Sequence, residues 1–462
     1  MDWQNKRVAV LGLGKSGLAI AKVLASKGAR VIASDSRTRE ELQDVAAQLP
    51  EGVDIEAGSH ANACMEADLI VVSPGVPVGL PVLQAAEADG VEVIGEIELA
   101  YRLARDGHGA PIIAITGTNG KTTTTTLVGE IFKAAGLNAP IGGNIGHPLV
   151  LLAEDPVDWL IAEISSFQLE TVHQFRPRIA AMLNFTDDHL NRHGTREAYF
   201  AAKKRLFAQQ GAEDWAVINA DDPALAGLIE TLPSRMLPFS LSGRVSRGVV
   251  VSDGWIVWRQ DEDEVPVAPI ADIQLRGAHN LENCLAATAM ALAAGIAPGT
   301  IAHTLREFRA VEHRIEPVAM IDGAQWYNDS KGTNYDSTVK AIESFTEPLV
   351  LIAGGRDKGG AITPLIDAVA SRVAHTVLIG EAAPYFERVL RAAGYETISM
   401  AADLPAALQT ARSHAVAGGV VLFSPACASF DMFKNYEERG RHFKEQVLAL
   451  EPAPTDEAAT RA

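Results

Sequence analysis

Short apolar, β-branched runs alternate with amphipathic stretches at helical spacing along most of this chain, the pattern of parallel α/β sheets. A first series of predicted strands covers 8–11, 31–34, 69–72 and 91–94, and a second covers 112–115, 159–164, 179–184 and 215–219. A third covers 349–353, 377–379 and 420–423. Between the second and third, 249–257 reads as strand-rich with turns, and the acidic run 261–264 after it as a solvated loop. Helices are expected over 18–27, after the loop 116–123 through Leu127, Ile131 and Ala135, and over 199–207 and 280–308. A linker is expected at 105–109 and a second boundary near Ala310. The fold class is therefore α/β in three domains, 1–106, 107–310 and 311–462, with a Pro-, Ala- and Glu-rich tail that frays from about 451.

The 462 residues, 47% of them hydrophobic, suffice for about three cores of ordinary size. A net charge of -18 at pH 7 argues against nucleic acid and anionic membranes as partners. It leaves room for an anionic small substrate, because a few local cations outweigh a distant field. Cys64, Cys284 and Cys427 lie far apart, without CxxC or CxxxH spacing. Neither a disulfide framework nor a thiolate zinc site is expected, and a reducing compartment is. No signal peptide and no membrane-length apolar stretch is read, so the expectation is a soluble, cytoplasmic monomer.

The strand 8–11 runs into Gly12-Leu13-Gly14-Lys15-Ser16-Gly17 and then a helix, with Asp35 ending the next strand. This arrangement binds a nucleotide diphosphate: glycines let the backbone come close, and the helix start presents N–H groups. Glycines alone do not choose the nucleotide. NAD is the common reading, in which Asp35 would hold a ribose.

A second loop, Thr116-Gly117-Thr118-Asn119-Gly120-Lys121-Thr122-Thr123, joins strand 112–115 to a helix. The full phosphate-loop pattern wants glycine where Ile115 stands, so the match is to the shorter GxxGK[ST] core. Its chemistry survives: amides cradle phosphates, Lys121 meets the β- and γ-phosphates, and Thr122 can ligate Mg²⁺. A dehydrogenase needs no ATP loop and a plain ATPase no Rossmann loop. An enzyme that uses ATP on a nucleotide-carried substrate needs both.

At this point the chain resembles the Mur ligase family over about residues 6 to 448. The resemblance rests on TGTNGKTT (116–123), GGNIG (142–146), EISSFQLE (163–170), NFTDDHL (184–190), GAHNLEN (277–283), EHR (312–314), NDSKGTN (328–334), GGRDKGG (354–360) and SPACASFDMFKNYEERG (424–440). The GxGxSG unit is similar to the alanine- and glutamate-adding types. The loop with Asn119 and the SPACASFD stretch are similar to the glutamate-adding type, where the alanine-adding type usually has His at the Asn119 position. The resemblance implies a Rossmann-like UDP-binding domain, a central P-loop-type ATPase domain and a Rossmann-like C-terminal domain for the incoming amino acid. It implies ATP, UDP-N-acetylmuramoyl-L-alanine and D-glutamate as substrates, joined through an acyl phosphate with release of ADP and phosphate. A carboxylate carbon is a poor electrophile, so amide formation needs such a leaving group.

The same resemblance implies the roles of single residues. Lys121, Asn144, His189, Lys203 and Arg314 are the expected catalytic set. ATP falls to Thr118, Asn119, Gly120, Lys121, Thr122, Thr123, Thr124, Asn280, Arg314 and Asp329. The UDP precursor falls to Gly14, Lys15, Ser16, Ser36, Arg37, Gly75, Asn144, Ser165 and His189. Glutamate falls to Lys331, Thr333, Lys358, Ser429, Phe430 and Tyr436, the last where the family often has Phe. Two Mg²⁺ ions are expected on Thr122, Glu163, His189 and Lys203, the lysine as a carbamate formed with CO₂. From the residues alone, Glu163 is a carboxylate ending an apolar strand, costly unless paired. Lys203 and Lys204 read from the residues alone as two surface lysines, and the resemblance reverses that for Lys203. The rival classes are an NAD-dependent oxidoreductase, a nucleotide-binding regulatory protein, and a ligase of the same family that adds L-Ala or L-Glu.

Overall fold

The computed structural model describes residues 2–309 and 311–450. Its strands form four sheets, three of them largely parallel and covered by helices. In the first, all strands run parallel in the order Asp54–Ala57, Arg30–Asp35, Arg7–Leu11, Leu69–Val72, Glu92–Gly95. Strands such as Leu69–Val72 are buried throughout because helices cover both faces, which is why they read as unbroken apolar runs. Strand order reverses between Arg7–Leu11 and Leu69–Val72, the switch point outside which α/β folds open a ligand crevice.

The second sheet runs Arg235–Met236, Trp215–Ile218, Ile179–Met182, Ile112–Thr116, Leu160–Glu163, Ile141–Gly143, again parallel. The last has the order Glu316–Ile321, Ala324–Asn328, Val420–Phe423, Leu349–Gly354, Val373–Ile379, Ile398–Met400, and only its first pair is antiparallel. Chain contacts divide the molecule into two units. The first holds the chain up to Ile273 together with Glu282–Arg306, and the second holds Gln274–Leu281 and the chain from Glu307 onward.

Within the first unit, the helix Glu96–Asp106 joins the first sheet to the second. Buried Glu98 accepts N–H bonds from His173, Gln174 and Phe175, and Arg102 balances its charge through a 2.8 Å ion pair.

Three expectations need correction. The linker at 105–109 starts later, because the helix runs through Asp106. The acidic run 261–264 is exposed, as expected of a solvated segment, but only its first half is a loop. Asp261 and Glu262 form the turn between the antiparallel strands Trp255–Gln260 and Asp263–Pro269, and Glu264 lies within the second strand. Its charge is met by Arg247 on Asp261 and Arg259 on Glu264. The expected helix over 280–308 is two helices, Ala278–Ala293 and Pro298–Glu307. The boundary near Ala310 and the tail from about 451 lie outside the described residues.

Candidate active site

The first glycine loop lies at the crevice that the strand order predicts. Only Gly12, Leu13 and Gly14 separate the end of Arg7–Leu11 from the helix Lys15–Ser26. Gly17 is required there: a Cβ at that position would lie 1.9 Å from the Gly12 carbonyl oxygen. A cleft of about 550 Å³ opens above the loop, and Gly14, Lys15, Ser16, Ser36 and Gly75, all expected at UDP, line it. His60 lines it as well, its Nδ1 2.7 Å from Ser34 Oγ, although no motif had singled it out.

Arg37, the remaining cation of the UDP set near this loop, is bound to Asp35. Asp35 accepts from the N–H of Leu13 at 2.7 Å, from Arg37 Nη2 at 2.8 Å, and from the N–H and Nε of Arg37 at 3.0 Å each. Four donors match the acceptor capacity of one carboxylate. The hydrogen bond from the Arg37 side chain holds this carboxyl well below the usual carboxylate range. An Asp so occupied is a poor partner for a ribose of NAD.

The second loop connects Ile112–Thr116 to the helix Lys121–Ala134. Gly120 has φ 83°, and a Cβ there would lie 2.3 Å from Asn283 Oδ1, so the tight entry to the helix depends on glycine. Asn184 clamps Asn119, accepting its N–H at 2.8 Å and donating to its carbonyl at 3.1 Å. Thr118 Oγ1 donates to the Thr186 carbonyl at 3.1 Å, and Thr124 Oγ1 to Asn283 Oδ1 at 3.2 Å; Thr123 is buried beside them. Lys121 Nζ lies 2.8 Å from the carbonyls of Gly117 and Thr118, at the mouth of the loop. Ile115, which replaces the first glycine of the longer pattern, is a fully buried strand residue.

Parallel pairing sets Ile115 opposite Glu163, so the Glu163 carboxylate reaches the level of the loop. Its Oε2 accepts from Thr122 Oγ1 at 2.8 Å and its Oε1 from Asn144 Nδ2 at 2.7 Å. Glu163 is 1% exposed and both of these donors are neutral. Ser165 caps the short helix Ser166–Leu169 through a reciprocal pair with Gln168.

Lys203, on the helix Arg196–Lys204, is 1% exposed, and Lys204 faces solvent. Residue pattern alone had made both surface lysines; the structure separates them. Lys203 Nζ donates to the Gly117 carbonyl at 2.8 Å and lies 4.8 Å over the Tyr199 ring. Burial, with the Lys121 charge second, pulls its pKa well below the ordinary lysine value. His189 has φ 53°, meets the Phe167 ring edge-on at 4.8 Å, and has Nε2 3.5 Å from Asp188 Oδ2. Tyr199 is a residue that sequence reasoning missed. It touches Lys203, His189 and His193, and its hydroxyl is 3.4 Å from Thr118 Oγ1.

The other expected residues lie in the second unit. Asn280 is buried and donates to the Arg276 carbonyl at 2.7 Å. Asp329 is buried too, accepting from Ser424 Oγ at 2.7 Å and from the Ile315 N–H at 3.3 Å. Burial pushes its pKa up to about 7, while the Ser424 bond and the nearby Arg314 charge oppose that shift. Lys358 Nζ is 3.2 Å from Thr333 Oγ1, and Lys331 Nζ lies 5.1 Å over the Tyr436 ring. Arg356 and Ala428 exchange backbone bonds at 2.9 Å, which ties the Lys358 loop to the segment bearing buried Ser429 and exposed Phe430. Arg439, also missed, is fully buried and holds Ser330 through Nε at 3.0 Å and Nη2 at 2.7 Å.

The donor set fits Mg²⁺. A hydroxyl and a carboxylate stand together beside a phosphate loop, and hard cations take such oxygens, with phosphates and water completing the shell. Among the described residues no three His, Cys, Asp or Glu side chains cluster as a closed protein cage, and a phosphate-borne Mg²⁺ requires none.

A glycine loop of the phosphate-binding type, backed by a buried carboxylate, lies in one unit with a second cleft built on a glycine loop. Family models agree along the chain: the Mur ligase MurD-like N-terminal domain matches residues 6–95, the Mur ligase middle domain 115–291, and the Mur ligase glutamate ligase domain 313–427. The chain belongs to the Mur ligase family. It is 47% identical over 456 residues to the UDP-N-acetylmuramoylalanine–D-glutamate ligase of Pelotomaculum thermopropionicum, covering 97% of this chain and 99% of that one. It is also 47% identical over 454 residues to the enzyme of the same name from Koribacter versatilis, with 97% and 99% covered. Among solved structures, a pseudomurein peptide ligase type C from Methanothermus fervidus shares the fold at TM-score 0.60 and 20% identity, covering 97% of this chain and 100% of that one. The UDP-N-acetylmuramate–alanine ligase of Thermotoga maritima does so at TM-score 0.58 and 20% identity, with 96% and 100% covered.

Proposed function

We propose that this enzyme joins D-glutamate to UDP-N-acetylmuramoyl-L-alanine at the cost of ATP, in the synthesis of peptidoglycan precursors. The observation that carries this reading is the link between the two nucleotide sites. Lys15 of the first loop donates to the Gly146 carbonyl at 2.6 Å, two residues from Asn144, which holds Glu163 beside Thr122. The similarity to ligases named for this reaction supports the choice of substrates.

In this reading a precursor carboxylate oxygen attacks the γ-phosphorus and ADP leaves. The glutamate amine then attacks the acyl carbon, phosphate leaves, and the amine loses a proton. Lys121 and the loop amides receive the developing phosphoryl charge, joined by Arg314. Thr122, Glu163, His189 and a carbamoylated Lys203 would hold Mg²⁺, which supplies Lewis-acid neutralisation of the phosphate oxygens. Asn144 orients the Glu163 carboxylate. The remaining ATP contacts fall to residues 118–120, 123 and 124 with Asn280 and Asp329. The precursor lies along Gly14, Lys15, Ser16, Ser36, Arg37 and Gly75 toward Asn144, Ser165 and His189, and glutamate at Lys331, Thr333, Lys358, Ser429, Phe430 and Tyr436. The domain boundaries 1–106, 107–310 and 311–462 belong to the same reading. So does a cytoplasmic monomer; no helix among the described residues is long and apolar enough to cross a membrane.

The test is phosphate release with the UDP-muramoyl-alanine precursor, scanned over D-Glu, L-Glu, L-Ala and D-Ala. D-Glu-dependent release is expected, and release driven by another amino acid would reassign the enzyme within its family.

A further inference from the structure

Arg192 belongs to no part of the site as assigned above, yet it joins the two halves of that site. It lies on the short helix Leu190–His193, which begins directly after His189. Arg192 Nη2 donates to Glu170 Oε2 at 2.7 Å and to the Val76 carbonyl at 3.0 Å. Its guanidinium lies 5.2 Å over the Phe167 ring, and that same ring meets the His189 imidazole edge-on at 4.8 Å. At the other end, Val76 is a wall of the first cleft. Its N–H donates to the Ser73 carbonyl at 3.0 Å, and Ser73 Oγ donates to the Gly12 carbonyl at 2.6 Å. A short run of directed contacts therefore leads from the first glycine loop to His189.

The contacts are of a kind that transmits position. The Arg192 and Glu170 side chains are 18% and 13% exposed, so water competes weakly for the pair. The planar guanidinium fixes two directions at once, one toward Glu170 and one toward the cleft wall. His189 holds a left-handed backbone conformation that a side-chain-bearing residue adopts only when its surroundings impose it.

We infer that Arg192 is a positioning residue that couples occupancy of the UDP cleft to the His189 turn at the ATP site. A nucleotide filling the cleft restrains residues 73–77, the Val76 carbonyl then holds Arg192, and Arg192 holds the turn. By linkage the effect is reciprocal: each ligand tightens the other. The inference rests on the reading of the cleft as the precursor site.

The experiment titrates a non-hydrolysable ATP analogue with Mg²⁺ into the full chain, with and without saturating UDP-N-acetylmuramoyl-L-alanine. In the wild type the precursor should tighten analogue binding about fivefold or more. Arg192→Met should bring that factor close to one and leave the affinity for analogue alone nearly unchanged, which a general structural defect would not do. Arg192→Lys keeps the charge without the two-way fork and should retain part of the factor. Should Arg192→Met not fold, Arg192→Lys and Glu170→Gln carry the test, with intermediate factors expected. An unaltered factor in these variants, or a wild type that binds the precursor without coupling, overturns the inference alone. A wild type that does not bind the precursor overturns the functional reading itself.

Discussion

Thr122 Oγ1 donates to Glu163 Oε2 at 2.8 Å, joining the first turn of the phosphate-loop helix to the end of the neighbouring strand. A buried carboxylate met by neutral donors is costly, and a cation relieves that cost. Glu163→Gln should therefore leave thermal stability near or above the wild-type value. It should also raise the Mg²⁺ concentration needed for half-maximal ATP turnover by about 10- to 100-fold, the scale set by losing a group that supports a metal. An unchanged Mg²⁺ midpoint would remove Glu163 from the metal site.

Lys203 is buried against the loop carbonyl of Gly117, and its amine is held well below the ordinary lysine pKa by burial and by Lys121. Carbamate formation needs the neutral amine, against a reference pKa of about 10.4, so this shift favours it. Enzyme equilibrated with ¹³C-bicarbonate should show a carbamate carbonyl signal that Lys203→Ala loses. Activity should vanish with that substitution and return in part with a short carboxylic acid. An unmodified Lys203 in active, Mg²⁺-loaded enzyme, by intact mass, would refute the carbamate.

Glu96 offers a test of stability independent of the chemistry. It is fully buried, accepts the Val150 N–H at 2.8 Å, and burial pushes its carboxyl up to about 7. Between about pH 4.5 and about pH 7 the folded chain keeps a proton that the unfolded chain has released. The contribution of this group is complete below that window and is lost as pH rises through it. Glu96→Gln removes the titration, so the melting temperature of the variant relative to wild type should climb from about pH 5 to about pH 8. A difference that stays flat with pH would show that Glu96 does not titrate in this window.

The phosphate loop was legible in the sequence because its parts are contiguous: strand, Gly-x-x-Gly-Lys-Thr and helix are neighbours in the chain. Glu163 was legible for a physical reason, since few carboxylates end an apolar strand without a task. Tyr199 was not, because an aromatic residue at helical spacing reads as ordinary core, and only folding brings it to Lys203 and His189. Lys203 and Lys204 show the same limit, as adjacent lysines differ only once one face of their helix is covered. The missed strands Asp54–Ala57 and Ile141–Gly143 lack an apolar run; one is polar and the other is mostly glycine, and both lie at sheet edges. The hairpin of Glu316–Ile321 and Ala324–Asn328 did carry a signal: Asp322-Gly323, both at positive φ, is the dipeptide that favours a two-residue turn.

Selectivity for glutamate is tested in the second unit. Glutamate brings two carboxylates and an amine, so its pocket needs a cation together with neutral donors at a second distance. Lys358 and Thr333 form such a pair, with Nζ and Oγ1 3.2 Å apart, and Lys358 itself is exposed. Its loop is not left loose: Tyr335 donates its hydroxyl to Asp357 at 2.6 Å, and the Arg356–Ala428 bridge holds the residue before that. Removing the amine should therefore delete a contact without collapsing the loop. A hydrogen bond to a charged group contributes about 1.5–3 kcal/mol, so Lys358→Ala should raise the KM for D-glutamate by about 10- to 150-fold. The KM for the UDP precursor should stay near the wild-type value, because the proposed contact is made only with glutamate. Thr333→Val, which keeps the shape and loses the hydroxyl, should move the same constant in the same direction by less. Equal effects on both substrates would point to a general defect in the second unit, and preferential turnover of L-glutamate would show that these two residues do not hold the D-enantiomer.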